Sequence, residues 1–139
     1  MLSKDPLAIY RQEELAIEAF KDYRLKKGVI CKKCGGTNHY WLASKHQFQC
    51  KNCRFRTTLQ SGTILEGSKL PVSYFFIALH LLRDNNNNLT VLEFQQQTRH
   101  KYIDPLYDFL KKVKSYVKTE DKNSILIIFL EVASKVLYA

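Results

Sequence analysis

The chain has 139 residues, of which 45% are hydrophobic and 25% are charged, and its formal net charge is +9. This length suits one domain of ordinary size or two very small ones, and it excludes most large enzyme scaffolds. The composition is typical of a folded protein and excludes a predominantly disordered chain. No run reaches the roughly 18–20 apolar residues that a membrane span needs, so we expect a cytoplasmic protein with no membrane partner.

The positive charge is concentrated in one segment. Residues 21–56 carry 10 basic side chains and 1 acidic side chain, and this excess of nine equals the whole net charge. The same segment contains all four cysteines. A basic balance of this kind is typical of a protein that binds a polyanion. We therefore expect this segment to face an acidic partner.

The first predicted element is a packing helix within residues 1–28. Asp5 and Pro6 suit its first positions, and Gly28 suits its end. Helical spacing separates an inner from an outer side. The inner side has Ile9, Ala16, Phe20 and Tyr23, and the outer side has Glu13, Glu14 and Lys21.

Residues 29–60 change to short aromatic and β-branched runs separated by turn residues, a pattern that predicts a small sheet. The predicted strands are residues 39–42, 47–49 and 55–58. Residues 61–71, which include Gly, Ser and Pro, form a connector to the next part of the chain.

Three helices are predicted within residues 72–118. The first, residues 72–83, is apolar on nearly every side and should be central. A run of asparagines at 85–88 breaks the pattern, and helices at about 89–97 and 103–118 follow. Three helices in this order have the outline of a helix-turn-helix unit. The last helix has a buried stripe of Ile103, Leu106, Leu110, Val113 and Val117, and Lys111, Lys112, Lys114, Ser115 and Lys118 lie opposite.

The C-terminal segment, residues 119–139, contains six consecutive apolar residues at 125–130. Periodicity does not decide between strand and helix for so short a run, and we favour a helix. Its apolar side chains need cover, either from the preceding helix along Tyr102, Phe109 and Tyr116 or from another chain. We favour a homodimer or a protein partner over a monomer. The predicted fold class is α+β.

The four cysteines predict a metal site. Cys31 and Cys34 form one Cys-x-x-Cys pair, and Cys50 and Cys53 form a second pair 15 residues further on. Two such pairs can place four thiolates around one ion and leave no open position, so we expect one structural Zn²⁺. Two disulfides or an iron–sulfur centre are the alternatives. Since four cysteines suffice, His39 and His46 are not expected to be ligands.

Three stretches together resemble the N-terminal region of zinc-ribbon insertion-sequence transposases of the DDE class. They are residues 29–41, residues 48–58 and the connector 61–71, and the likeness extends over residues 5–118. The resemblance implies a zinc ribbon followed by a DNA-binding helix-turn-helix. It also implies a nuclease domain beginning near residue 120, for which the remaining 20 residues are too few. No metal-binding carboxylate set is carried over.

We therefore expect a DNA-binding protein that is not an enzyme: a transposase remnant, a repressor or a domesticated regulator. No Ser/His/Asp arrangement, free Cys/His pair or phosphate-binding glycine loop is evident in the sequence. The alternative is an interaction module that docks on RNA, the ribosome or the transcription machinery.

The candidate contacts to double-stranded DNA are basic residues of the ribbon and of the last helix. Arg54 and Arg56 flank Phe55 in a predicted strand, so their guanidinium groups should share one face and contact phosphates. Trp41 is expected to pack within the sheet. The remaining candidates are Lys45, Lys51, Lys101, Lys111, Lys112 and Lys114.

Overall fold

The computed structural model describes residues 7–85, 88–118 and 122–137. They form an α+β fold in which a helix and a three-stranded antiparallel sheet precede four further helices. Asp5 and Pro6 lie outside the described residues. The elements are α1 (Glu13–Lys27), β1 (His39–Leu42), β2 (Gln47–Cys50), β3 (Arg56–Thr58), α2 (Ser73–Asp84), α3 (Val91–Thr98), α4 (Asp104–Tyr116) and α5 (Lys122–Leu137).

The N-terminal helix begins later than the sequence predicts. A 3-10 turn at Ile9–Arg11 is followed by Gln12, whose backbone is extended, and α1 starts at Glu13. Gly28 ends the helix as expected, with a φ of 92° and its N–H bonded to the Arg24 carbonyl. Ala16, Phe20 and Tyr23 are buried as expected.

Glu13 does not face outward as the sequence predicts. It is half-buried, and its carboxylate accepts hydrogen bonds from the backbone N–H groups of Val72 (2.8 Å) and Ser73 (3.0 Å). These donors stand at the start of α2, where N–H groups have no partner within the helix. Glu13 thus caps a helix that lies some 60 residues further along the chain.

The sheet has the order β1-β2-β3 and a regular register. Trp41, Phe48 and Thr57 are paired across the three strands, as are Tyr40, Gln49 and Arg56. Because side chains alternate along a strand, the two sets lie on opposite faces. The first set faces α1, and Phe48 is completely buried there.

The helices α2, α3 and α4 pack on one another through aromatic rings. Phe94 of α3 stacks on Phe109 of α4 with ring centroids 6.0 Å apart, and Phe75 of α2 lies 6.1 Å from Tyr116 of α4. The middle of the α4 stripe, Leu106, Leu110 and Val113, is buried as predicted. Asn85 and Asn88 lie outside the helices, whereas Asn86 and Asn87 are outside the described residues.

The C-terminal segment is a helix, as favoured from the sequence, but it does not fold back on α4. It packs chiefly against α1 and α2. The ring centroid of Phe129 lies 4.8 Å from that of Tyr10 and 4.9 Å from that of Phe76. Phe109 and Tyr116 are covered by α3 and α2 instead. Among the described helices, none is long and apolar enough to cross a membrane.

Candidate metal centre and nucleic-acid interface

Two similar turns, which we call knuckles, present the cysteines. In the first, residues 31–36, Cys31 donates its N–H to Gly36 and accepts at its carbonyl from Gly35, both at 2.9 Å. In the second, residues 50–55, Cys50 makes the same two bonds with Phe55 and Arg54, again at 2.9 Å. Each turn brings its second cysteine back towards the first, as the spacing predicts.

The four sulfur atoms lie within 4.8 Å of one another. The Cys31–Cys53 and Cys34–Cys50 pairs are each 3.5 Å apart. Zn–S bonds of about 2.3 Å in a tetrahedron require sulfurs about 3.8 Å apart, so the cluster is of the right size for one zinc ion. The four thiols are the donor set that zinc prefers in structural sites.

Gly36 forms part of the wall of this site. A Cβ atom at this position would lie 3.2 Å from the sulfurs of Cys34 and Cys50 and 2.8 Å from the Asn52 side chain. The Gly36 N–H also points to the Cys34 sulfur at 3.4 Å, and the Lys33 N–H points to Cys31 at the same distance. The backbone therefore closes over the sulfurs and supplies donors that favour thiolates.

Without a metal the thiols would not ionise together. Burial opposes ionisation of Cys31, but the N–H groups of Cys34 and Lys33 lower its pKa to about 6. The Gly36 N–H favours the Cys34 thiolate, yet the neighbouring cysteine thiols raise the pKa of Cys34 to about 12. A cation that replaces the protons is needed to hold four thiolates together, and this is the chemistry that zinc supplies.

The two histidines of the sheet region fall outside this cluster. His46 is exposed in the β1–β2 turn. His39 is half-buried on β1, and neither of its ring nitrogens has a hydrogen-bond partner. Trp41 packs within the sheet, as expected, with its ring 4.9 Å from that of Phe48.

The structure places Arg54 differently from the prediction. Arg54 belongs to the second knuckle, where its φ is +67°, and β3 begins only at Arg56. It occupies the position that Gly35, with a φ of +76°, has in the first knuckle. The expectation of two guanidinium groups on one strand is therefore wrong, although both residues are exposed.

The other basic candidates are distributed over the ribbon and α4. Lys45 lies in the β1–β2 turn and Lys51 in the second knuckle, and both are exposed. Lys111 and Lys114 line one cleft with Tyr107, whereas Lys112 lines a different cleft. The predicted lysines of α4 thus divide between two sides of the helix. Lys101 is exposed in the loop before α4.

Arg24 is a site residue that the sequence did not single out. Its guanidinium donates to the backbone carbonyls of Thr58 and Leu59, both at 3.0 Å, and lies 5.3 Å from the Phe48 ring centroid. Burial lowers the pKa of this guanidinium. Arg24 thereby attaches the sheet to α1. Only its place in the basic segment was visible in the sequence.

Four cysteines on two knuckles, joined by a short antiparallel sheet, define a zinc ribbon. Residues 11–56, about a third of the chain, match the family described as the transposase zinc-ribbon domain. The match confirms the resemblance over this segment. No curated protein and no solved structure matches the chain.

Proposed function

We propose that the protein is a transposase-related protein that binds double-stranded DNA and has no catalytic activity of its own. Its role would be that of a regulator or of a transposase remnant in the cytoplasm. The zinc ribbon supplies phosphate contacts, and α3 and α4 act as a helix-turn-helix with α4 in the major groove.

The charge of the ribbon is the observation that carries this proposal. Residues 23–65 contain nine lysines and arginines and no aspartate or glutamate. Eight of these nine cations are exposed, whereas Arg24 is half-buried. The exposed set includes the four candidates Lys45, Lys51, Arg54 and Arg56. A surface of this kind attracts a polyanion and releases its counterions on binding.

The backbone of Arg54 supports a binding role for its side chain. A left-handed conformation costs a non-glycine residue on the order of 1 kcal/mol, and the equivalent position of the first knuckle is glycine. Arginine therefore stands where glycine would be more stable. A phosphate contact would give the Arg54 side chain a binding role that offsets this cost.

The helical unit offers α4 as the groove-binding element. The turn between α3 and α4 is held by Tyr74, whose hydroxyl lies 3.0 Å from Nδ1 of His100, and by Gln95, which donates to the His100 carbonyl. Tyr107 and Lys111 are exposed on α4. One helical turn separates them, so both can address the same groove.

Salt-dependent binding tests the proposal. Each lost phosphate contact should reduce the slope of log K against log salt by about 1 for duplex DNA. Arg56→Ala removes one cation, and Arg54→Gly removes another while keeping the knuckle backbone. Lys135→Ala, on α5, is the matched control for lost charge. Slopes that are unchanged in both arginine variants, with zinc still bound, would contradict the proposal.

Tighter binding to RNA or ribosomal particles than to duplex DNA would favour the interaction-module alternative.

The dimer favoured from the sequence also stays a prediction. Most of the apolar side chains described on α5 are buried within the chain, but Ile127 and Leu130 are exposed. If these residues mediate a homodimer, light scattering should find that the original protein is a dimer and that the Ile127→Glu variant is a monomer.

A further inference from the structure

The outer face of the ribbon sheet carries an exposed aromatic ring. Tyr40, Gln49 and Arg56 lie opposite one another across the three strands. The other face of the sheet packs on α1, so this row points away from the protein core. Tyr40 is 57% exposed, among the larger exposures of the apolar and aromatic side chains described. The exposed part of this ring is available to stack against a ligand.

The neighbours of Tyr40 are cationic. The Lys51 ammonium lies 4.8 Å from the centroid of the tyrosine ring. Arg56 is exposed at the opposite edge of the same row. Since residues 23–65 include no carboxylate side chain, no acidic residue of the ribbon neutralises these groups. The row thus combines a stacking surface with positive charge on both sides.

We propose that this row binds an unpaired nucleotide of single-stranded nucleic acid. The base stacks on Tyr40, and the flanking phosphates contact Lys51 and Arg56. Base faces inside a duplex are covered by their neighbours, so an exposed ring on the sheet surface stacks on unpaired bases in preference to bases within a duplex. The inference rests on the proposed function, because both use Lys51 and Arg56 to contact phosphates, but it adds a stacking residue, Tyr40, and a different strand state.

Binding of labelled oligonucleotides to the zinc-loaded full chain tests this site. The probes are an oligothymidylate of about 10 nucleotides, its RNA counterpart oligouridylate, and a duplex of the same length. Tyr40→Ala should weaken single-strand binding by about 5- to 150-fold, the range expected for one stacked base. Tyr40→Phe retains the ring and should bind within about twofold of the original protein.

A base analogue separates stacking from a structural effect. The fluorescence of 2-aminopurine placed in the oligothymidylate should be quenched by the original protein and by Tyr40→Phe, but not by Tyr40→Ala. Tyr102→Ala is the matched control, because Tyr102 is 61% exposed and has the Lys101 ammonium 5.5 Å from its ring centroid. It lies away from the sheet and should leave the quenching unchanged.

The outcomes distinguish this site from the proposed function. Single-strand affinity unchanged in Tyr40→Ala, with zinc bound, overturns the inference and leaves duplex binding standing. An equal loss for single strand and duplex also overturns it, because the ring would then not select unpaired bases. If the original protein binds none of the three probes, both proposals fail. A larger loss of single-strand affinity than of duplex affinity in Tyr40→Ala supports the site. Whether this loss is found with oligothymidylate, with oligouridylate or with both identifies the sugar that the site accepts.

Discussion

Replacement of Glu13 by alanine should destabilise the protein although Glu13 is only half-buried. The carboxylate accepts two backbone hydrogen bonds, at 2.8 and 3.0 Å, at the start of α2. Loss of a helix cap costs about 0.5–2 kcal/mol, and hydrogen bonds to charged groups contribute about 1.5–3 kcal/mol. We expect the free energy of unfolding to fall by about 2 kcal/mol. Glu13→Gln retains one acceptor oxygen and should lose about half as much.

Urea unfolding followed by circular dichroism, with zinc in excess, measures this loss. With a slope of about 2 kcal/mol per molar, the midpoint should fall by about 1 M. Glu14→Ala is the control, because Glu14 is the next residue of α1, carries the same charge in the same first turn and is exposed. A midpoint for Glu13→Ala no lower than that of Glu14→Ala would refute the capping role.

Further variants test the ribbon, its attachment and the helical core. Gly36→Ala should weaken zinc binding by about 10- to 100-fold in chelator competition, because the new Cβ meets two sulfurs; unchanged affinity would contradict the close packing. Arg24→Met should lower the free energy of unfolding by about 2 kcal/mol, measured in urea, since two carbonyls lose a charged donor. Burial lowers the pKa of His80, so the unfolded chain binds more protons and stability should fall as pH decreases through about 6.5. His80→Gln should flatten that pH dependence. Removal of zinc should change the fluorescence of Trp41, the single tryptophan, while far-ultraviolet circular dichroism retains most helical signal. Loss of the helical signal together with the change in fluorescence would show that the helices need the metal.

Local features of the fold could be predicted from the sequence. The zinc site depends on two short spacings, because each knuckle brings its own pair of sulfurs together. The buried stripe of α4 depends on helical periodicity alone. In both cases the residues that carry the signal are close in the chain, and the hairpin then brings the two cysteine pairs together.

Features that depend on distant partners could not be predicted. Glu13 reads as an outward-facing residue because the N–H groups it caps are about 60 residues away. The apolar run of α5 indicates burial but does not reveal that α1 and α2 provide the cover. The Arg-Phe-Arg sequence suggests an alternating strand, but the backbone requirement of the second knuckle places Arg54 in a left-handed turn.

Helix α1 connects the two parts of the molecule that would contact DNA. Near its start Glu13 holds α2, and near its end Arg24 holds the sheet, about 16 Å further along the helix axis. If the protein binds DNA as proposed, binding of the ribbon would bring the helical unit to the DNA as an intramolecular neighbour at a set separation. A DNA site with contacts at matching positions would then gain avidity from both parts. A DNA site with any other spacing would gain the affinity of only one part.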